Sequence, residues 1–418
     1  MKSEFAQRRQ KLLTQVEPGS LILISSAPLT LRNGSTHYPY RQRSHFYYLT
    51  GFEETNAILL LYQDGNTPLF ILFNQFDTPE ERLWSGPRVG QEKACTNYGA
   101  DYAYPIHEFE KYVLQFLNCS ENVYFLFQED QHIKEHLFNL SRSVTVKQWI
   151  DLEPILSSIR AVKQAEEIAR LRKAASISAQ AHRRAMQFCR PGHYEYTLEG
   201  ELLHAFYQHG SRAVAYESIV ATGENACILH YQQNTARLKE GELLLIDAGC
   251  EYEYYAADIS RTFPVNGRFT PAQRQLYTVV LNTQMAVLEA IKPNTTWEAL
   301  EAIAMQYLTK GLLELGILSG PLPRLMKEKT ARQFYPHCIG HALGLDVHDK
   351  TESVLKSGMV ITIEPGVYIQ PDKDDVPLKW RGMGIRIEDN VLVTETGYEI
   401  LSAEAPKTID EIEAVMQK

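Results

Sequence analysis

The sequence has no long hydrophobic run. None of its apolar stretches approaches the roughly 18 residues a membrane-spanning helix needs, so no membrane partner is expected. The charged start, MKSEFAQRRQKLL, is followed by the apolar run 21–24, too short for the core of a secretion signal. Cysteine is sparse: six in 418 residues, with no CxxC pair. Scattered single cysteines make neither a disulfide framework nor a zinc ribbon, and they fit reduced thiols of a cytoplasmic protein. Positive charge is in deficit, with a net charge of -9, which argues against general binding to nucleic acid or an anionic membrane. There is no low-complexity tract, G-x-S-x-G elbow, Walker A loop or Rossmann G-x-G-x-x-G. Serine-hydrolase, P-loop and dinucleotide chemistry therefore have no sequence support.

What is present reads as ordinary globular protein, 44% hydrophobic and 22% charged. The length exceeds what one hydrophobic core organises and predicts two domains. Residues 1–155 mix short β-like runs (LILIS, AILLLY, LFILF, NVYFLF) with helical pieces such as 107–118, an α/β pattern. Residues 151–160 read as a connector, with Pro154 restricting Glu153. In residues 160–418, helices are expected at 163–189, 196–209, 271–291 and 296–315. Strands are expected at 218–221, 242–247, 258–265, 359–364 and 384–393, an α+β arrangement.

The second region contains a repeat. LKEGELLLIDAG (238–249) aligns without a gap to LKSGMVITIEPG (355–366) at an offset of 117. Each copy is a turn, a buried strand, an acid, one residue and a glycine. The acids are Asp247 and Glu364. A histidine precedes each acid, His230 in the first copy and His348 in the second. Two further acids sit on strand-like segments: Asp258, eleven residues after Asp247, and Glu388 in GMGIRIEDNVLV. An ionised carboxylate at the end of a core strand is costly without a partner, so something positive should face it. A duplicated half-domain, presenting acids from both halves to one centre, would account for the pattern.

HCIGHALGLDVHD (337–349) adds three histidines, His337, His341 and His348. The His337 to His341 spacing matches the helical zinc motif, but the glutamate of HExxH is missing, so that reading fails. Read as a strand, His337 and His341 share a face. Four converging carboxylates repel one another, and divalent cations would neutralise them. Carboxylates with one imidazole suit two hard or borderline ions, Mn²⁺ first and Co²⁺, Fe²⁺ or Zn²⁺ after it. Two such ions sharing a water would make it a hydroxide nucleophile near neutral pH, with no serine or cysteine required.

The ordered set IDAG, DISRTF, HxxGHxxGxxxHD, IEPG and RIED resembles the pita-bread metallopeptidase family, and PYRQRSHFYYLTGFEE (39–54) resembles its N-terminal domain. The resemblance implies an α+β fold, with a pita-bread catalytic domain at 160–418 preceded by a smaller α/β domain at 1–155. It implies an aminopeptidase that releases the first residue of peptides with proline second. Asp247 would chelate one ion, Asp258 and Glu388 would bridge both, and His341 and Glu364 would ligate the other. Glu364 would also carry the proton from the water to the leaving nitrogen. His230 and His348 would hydrogen-bond the scissile peptide and its tetrahedral intermediate. His337 and Arg386 would line the prolyl pocket or brace the ligands. Tyr47, Tyr48 and Trp84 read as core aromatics. By resemblance, Trp84 would instead lean over an active site, that of a neighbouring subunit, in a homodimer or homotetramer. A dipeptidase restricted to Xaa-Pro would share these ligands. A non-catalytic peptide-binding module of the same fold is the reading from another class.

Overall fold

The computed structural model describes residues 3–63, 67–129, 131–140 and 146–417. The chain divides into two compact units, Met1–Ile159 and Arg160–Lys418.

The first unit is built on a mixed sheet. Its strands are β1 (Ser20–Ser25), the small hairpin β2 (Leu31–Asn33) and β3 (Thr36–His37), β4 (Ile58–Gln63), β5 (Pro68–Asn74), β6 (Tyr102–Pro105), β7 (Asn122–Phe125) and β8 (Gln148–Asp151). The six-stranded order is β6-β5-β4-β1-β7-β8, with β4 antiparallel to both neighbours and the other pairs parallel. Leu21 to Ile24 are wholly buried. A strand apolar on both faces belongs inside such a layered sheet. Tyr47 and Tyr48 are core residues, whereas Trp84 is 87% exposed. Its helix, Pro79–Ser85, buries no residue, so the core expectation fails for Trp84. The connector expected at 151–160 is instead mostly the helix Glu153–Ala161. Pro154 lies in its first turn, where no intrahelical N–H is needed.

The second unit carries the repeat. Its first-half strands are β9 (Ala213–Val214), β10 (Ile219–Thr222), β11 (Leu243–Asp247), β12 (Cys250–Tyr252), β13 (Tyr255–Ala256) and β14 (Ser260–Pro264). Its second-half strands are β15 (Val360–Ile363), β16 (Gly366–Ile369), β17 (Met383–Arg386), β18 (Asp389–Val393) and β19 (Tyr398–Ile400). Long helices span Ala165–Phe188, Glu195–Gln208, Pro271–Glu289 and Trp297–Glu314. The third starts with a capping box from Thr270 and Gln273, with Pro271 in its first turn. Ala181, Met186, Leu244, Ile246, Tyr277, Val280, Ile385 and Ile387 share one core, which fixes the helices against the strands of both halves.

Strands β11 and β15 are the two repeat copies. β11 pairs antiparallel with β14, Asp247 opposite Ser260. β15 pairs antiparallel with β18, Ile363 opposite Asp389, so one residue further Glu364 faces Glu388. The position of Glu388 in the second half is therefore that of Ser260 in the first. Two residues earlier, Arg386 stands where the first half has Asp258. The single strand expected at 384–393 is broken at Ile387 and Glu388. There the chain leaves one sheet for another, and the Glu388 N–H donates to Ser260 O of the first half (3.0 Å). The break brings Glu388 to the seam between the halves.

Candidate metal centre

Nine of the ten residues singled out in the sequence line one cavity of about 350 Å³: His230, Asp247, Asp258, His337, His341, His348, Glu364, Arg386 and Glu388. The tenth, Trp84, belongs to the first unit.

Each acid is delivered by a strand end. Asp247 is the last residue of β11, Asp258 lies two residues before β14, Glu364 follows β15 and Glu388 precedes β18. Gly249 lets the chain turn back after Asp247, since a Cβ there would lie 1.7 Å from Ala257 O. The buried His182 donates Nε2–H to Ala248 O (3.0 Å), pinning the residue next to Asp247. Beneath Glu388, the fully buried Arg261 pairs with Asp389 (2.7 Å) and donates to the Glu388 and Ser260 carbonyls. Lys407, Ser402 and Gln284 also donate to Asp389. Burial alone would raise the Asp389 carboxyl, but Arg261 and Lys407 outweigh it and hold it well below the usual range.

The positive group expected opposite Asp247 is Arg386, whose Nη2 donates to Asp247 Oδ2 (2.6 Å). Burial opposes ionisation of Asp247, yet Arg386 and the Tyr216 hydroxyl keep its pKa below normal. The Tyr216 oxygen lies 2.5 Å from Asp247 Oδ1 and 2.6 Å from Asp258 Oδ1. One hydroxyl proton cannot serve both carboxylates at once. Asp258, 5% exposed, is pushed well above the usual range by burial and then by the Asp247 charge. Glu388, 2% exposed, is raised by burial and by Asp258. Glu364 is raised by burial and by Glu388. Protein alone therefore leaves three of the four acids short of positive charge.

This donor set fits divalent cations. His341 donates Nδ1–H to Ala342 O (2.9 Å), which leaves the Nε2 lone pair facing Asp258 Oδ2 (3.4 Å) and Glu364 Oε1 (3.8 Å). Ligand atoms of Asp258, His341 and Glu388 all lie within 4.8 Å of one another. His337 is engaged differently. Its Nδ1–H donates to Cys338 O (2.8 Å), and its Nε2 accepts from the Tyr368 hydroxyl (2.9 Å), which in turn accepts from Arg386 Nη1 (2.9 Å). Burial, then the Arg386 charge, lowers the His337 pKa to about 4, so the imidazole is neutral at pH 7. His230 and His348 are exposed at the cavity mouth, and the His348 ring meets His341 edge to face at 4.3 Å. Residues 337–341 do not form the strand expected of them. The segment is irregular, with Ala342 bridged to both Asp349 and Ile361.

Two site residues escaped the sequence reading, Tyr216 and Tyr368. Nothing local separates them from the other tyrosines, 23 in all. The available signal for Tyr216 was position: Ile219 pairs with Asp247, so a residue just before β10 falls beside that acid.

Known proteins place this architecture in a class. Residues 169–395 match the model of metallopeptidase family M24, and residues 5–124 match the aminopeptidase P N-terminal domain. The chain belongs to metallopeptidase family M24 and is a metal-dependent peptidase by fold and site. Within that class it is similar to the Xaa-Pro aminopeptidase of Escherichia coli K12, 43% identical over 99% of this chain and 98% of that one. The Haemophilus influenzae Xaa-Pro aminopeptidase is 41% identical over 99% and 97%. The solved proline aminopeptidase P II of Yersinia pestis superposes with a TM-score of 0.97 at 44% identity, covering 99% and 98%. A zinc-substituted E. coli aminopeptidase P in complex with product gives 0.97 at 43% identity, covering 99% and 97%.

Proposed function

We propose that this chain is a Xaa-Pro aminopeptidase that releases the first residue of peptides with proline second. The observation that carries the reading is the convergence of four carboxylates and the His341 Nε2 lone pair on one cavity whose mouth holds two further imidazoles. Asp247, Asp258, His341, Glu364 and Glu388 would hold two divalent ions. When bound, the ions supply Lewis-acid activation of a water and of the scissile carbonyl. Manganese is the first choice for so oxygen-rich a set.

The chain's own groups do the rest. The substrate's free α-amine sits against the acids, which limits cleavage to the peptide terminus. His230 and His348 aim N–H groups at the scissile carbonyl, where negative charge develops in the transition state. Glu364, whose carboxylate bound cations would keep ionised, would take a proton from the attacking water and pass it to the prolyl nitrogen. His337, fixed by Tyr368 and Cys338 O, lines the prolyl pocket, and Arg386 keeps Asp247 ionised.

The deciding experiment compares hydrolysis of Xaa-Pro-Xaa and Xaa-Pro with Mn²⁺ and with a chelator. Metal-dependent turnover of the tripeptide supports the reading. Turnover of the dipeptide alone makes the protein a dipeptidase, and no turnover with metal bound leaves a binding module.

The domain bounds 1–155 and 160–418, the cytoplasmic location and a homodimer or homotetramer belong to the same proposal. Six free thiols support the location, which cell fractionation tests. The exposed Leu83 (82%) and Trp84 (87%) support assembly, with Trp84 offered to a neighbouring copy. A Leu83→Ser/Trp84→Ser variant that sediments like the parent would end that part of the proposal.

A further inference from the structure

We infer that Arg160 is a positioning residue for His348, acting with Lys163 through the carboxylate of Asp349. The inference rests on the reading of His348 as a substrate-facing imidazole. Asp349 directly follows His348, and its side chain is only 2% exposed. Arg160 Nη2 donates to Asp349 Oδ1 (2.8 Å) and to Asp346 Oδ2 (2.6 Å), while Lys163 Nζ lies 3.4 Å from Asp349 Oδ2. The Lys350 N–H adds a bond to Asp349 Oδ1 (2.9 Å).

The backbone closes the same loop. Asp349 N–H donates to Ala342 O, and Ala342 is bridged in turn to Ile361 of β15. Residues 343–348 are thus a short turn tied at its base to the strand that delivers Glu364, and at its flank to Arg160 and Lys163. Gly344 is part of the construction: a Cβ there would lie 2.0 Å from Asp349 Oδ2 and 3.1 Å from Lys163 Cε. The clamp is almost fully buried on three of its four side chains, Arg160, Lys163 and Asp349. Two cations there, Arg160 and Lys163, meet two carboxylates, Asp346 and Asp349. What it holds still is the approach to His348, whose ring is set edge to face against His341.

Arg160 reaches both carboxylates from one amino group, Nη2, whose two N–H directions are fixed by the guanidinium plane, and an ammonium on a shorter, flexible stem does not reproduce that geometry. Arg160→Lys keeps the charge and loses that fixed pair of directions. With the metal-loaded enzyme and a proline-second tripeptide, Arg160→Lys is expected to lower kcat about tenfold, with KM and bound metal per chain unchanged. In a His348→Ala background the same substitution should cost less than about twofold, because its target is already gone. Equal losses in both backgrounds, or an undiminished kcat in Arg160→Lys beside a slow His348→Ala, would overturn the inference alone. Full activity in His348→Ala would overturn the underlying reading and the inference with it. If Arg160→Lys melts below the assay temperature, Asp346→Ala removes one of the two acceptors of Nη2, at a half-exposed carboxylate. It is read in the same cycle with the same two outcomes.

Discussion

At the scale of single residues, ligands and catalytic groups should separate by what they do to metal content. Asp258→Asn removes a carboxylate proposed to be shared by both ions. Activity is expected to fall about 10³-fold or more, with bound metal per chain reduced and the circular dichroism spectrum kept. His230→Ala leaves every proposed ligand in place, so metal content should hold while kcat falls about 10²- to 10³-fold. Lost metal in the second variant would reassign His230. A pH effect belongs to His182. Burial lowers its pKa to about 4 from 6.5, against a weaker opposing hydrogen bond to Ala248. The unfolded chain therefore takes up a proton as pH drops through 6.5 while the folded chain refuses it until about 4. Stability is unaffected above that window and is lost as pH falls across it, by up to about 3 kcal/mol. Urea midpoints at pH 7.5 and 5.0 should differ less for His182→Gln than for the parent.

At the scale of elements, β18 and the break before it are held by the buried Arg261–Asp389 pair. Removing one partner strands the other charge, so Asp389→Ala should destabilise by about 3–5 kcal/mol, read from chemical denaturation. The elements were also where the sequence was most and least legible. The repeat displayed β11, β15 and their terminal acids, because a turn, a fully buried strand and an acid are local patterns. The break at Ile387 and Glu388 was hidden, since Ile385 to Glu388 alternate right up to it, the polar run Glu388 to Asn390 was read as part of the same strand, and the pairing with Ser260 of the other half is tertiary. The helix Glu153–Ala161 was masked by Pro154, which forbids a helix interior but suits a first turn. Likewise, nine site residues could be named from motif order, while Tyr216 and Tyr368 act through tertiary contacts that leave no local pattern.

At the scale of the whole molecule, a charge cluster needing cations couples metal to stability. An ion that binds only the folded state adds about 2.7 kcal/mol per site at one hundred times its Kd. Melting temperature should therefore climb with Mn²⁺ concentration and drop with a chelator, alongside activity. An unchanged melting temperature would mean that the acids find their compensation within the protein. The mismatch between the halves reaches further. Where one half offers Ser260 the other offers Glu388, and where one offers Asp258 the other offers Arg386. The duplication is therefore lopsided at its centre. Its two cations would live in unlike neighbourhoods, one beside a guanidinium and the other beside an imidazole. Calorimetric titration of the stripped enzyme should accordingly resolve two unequal steps, a tight occupant and a looser one that exchanges first.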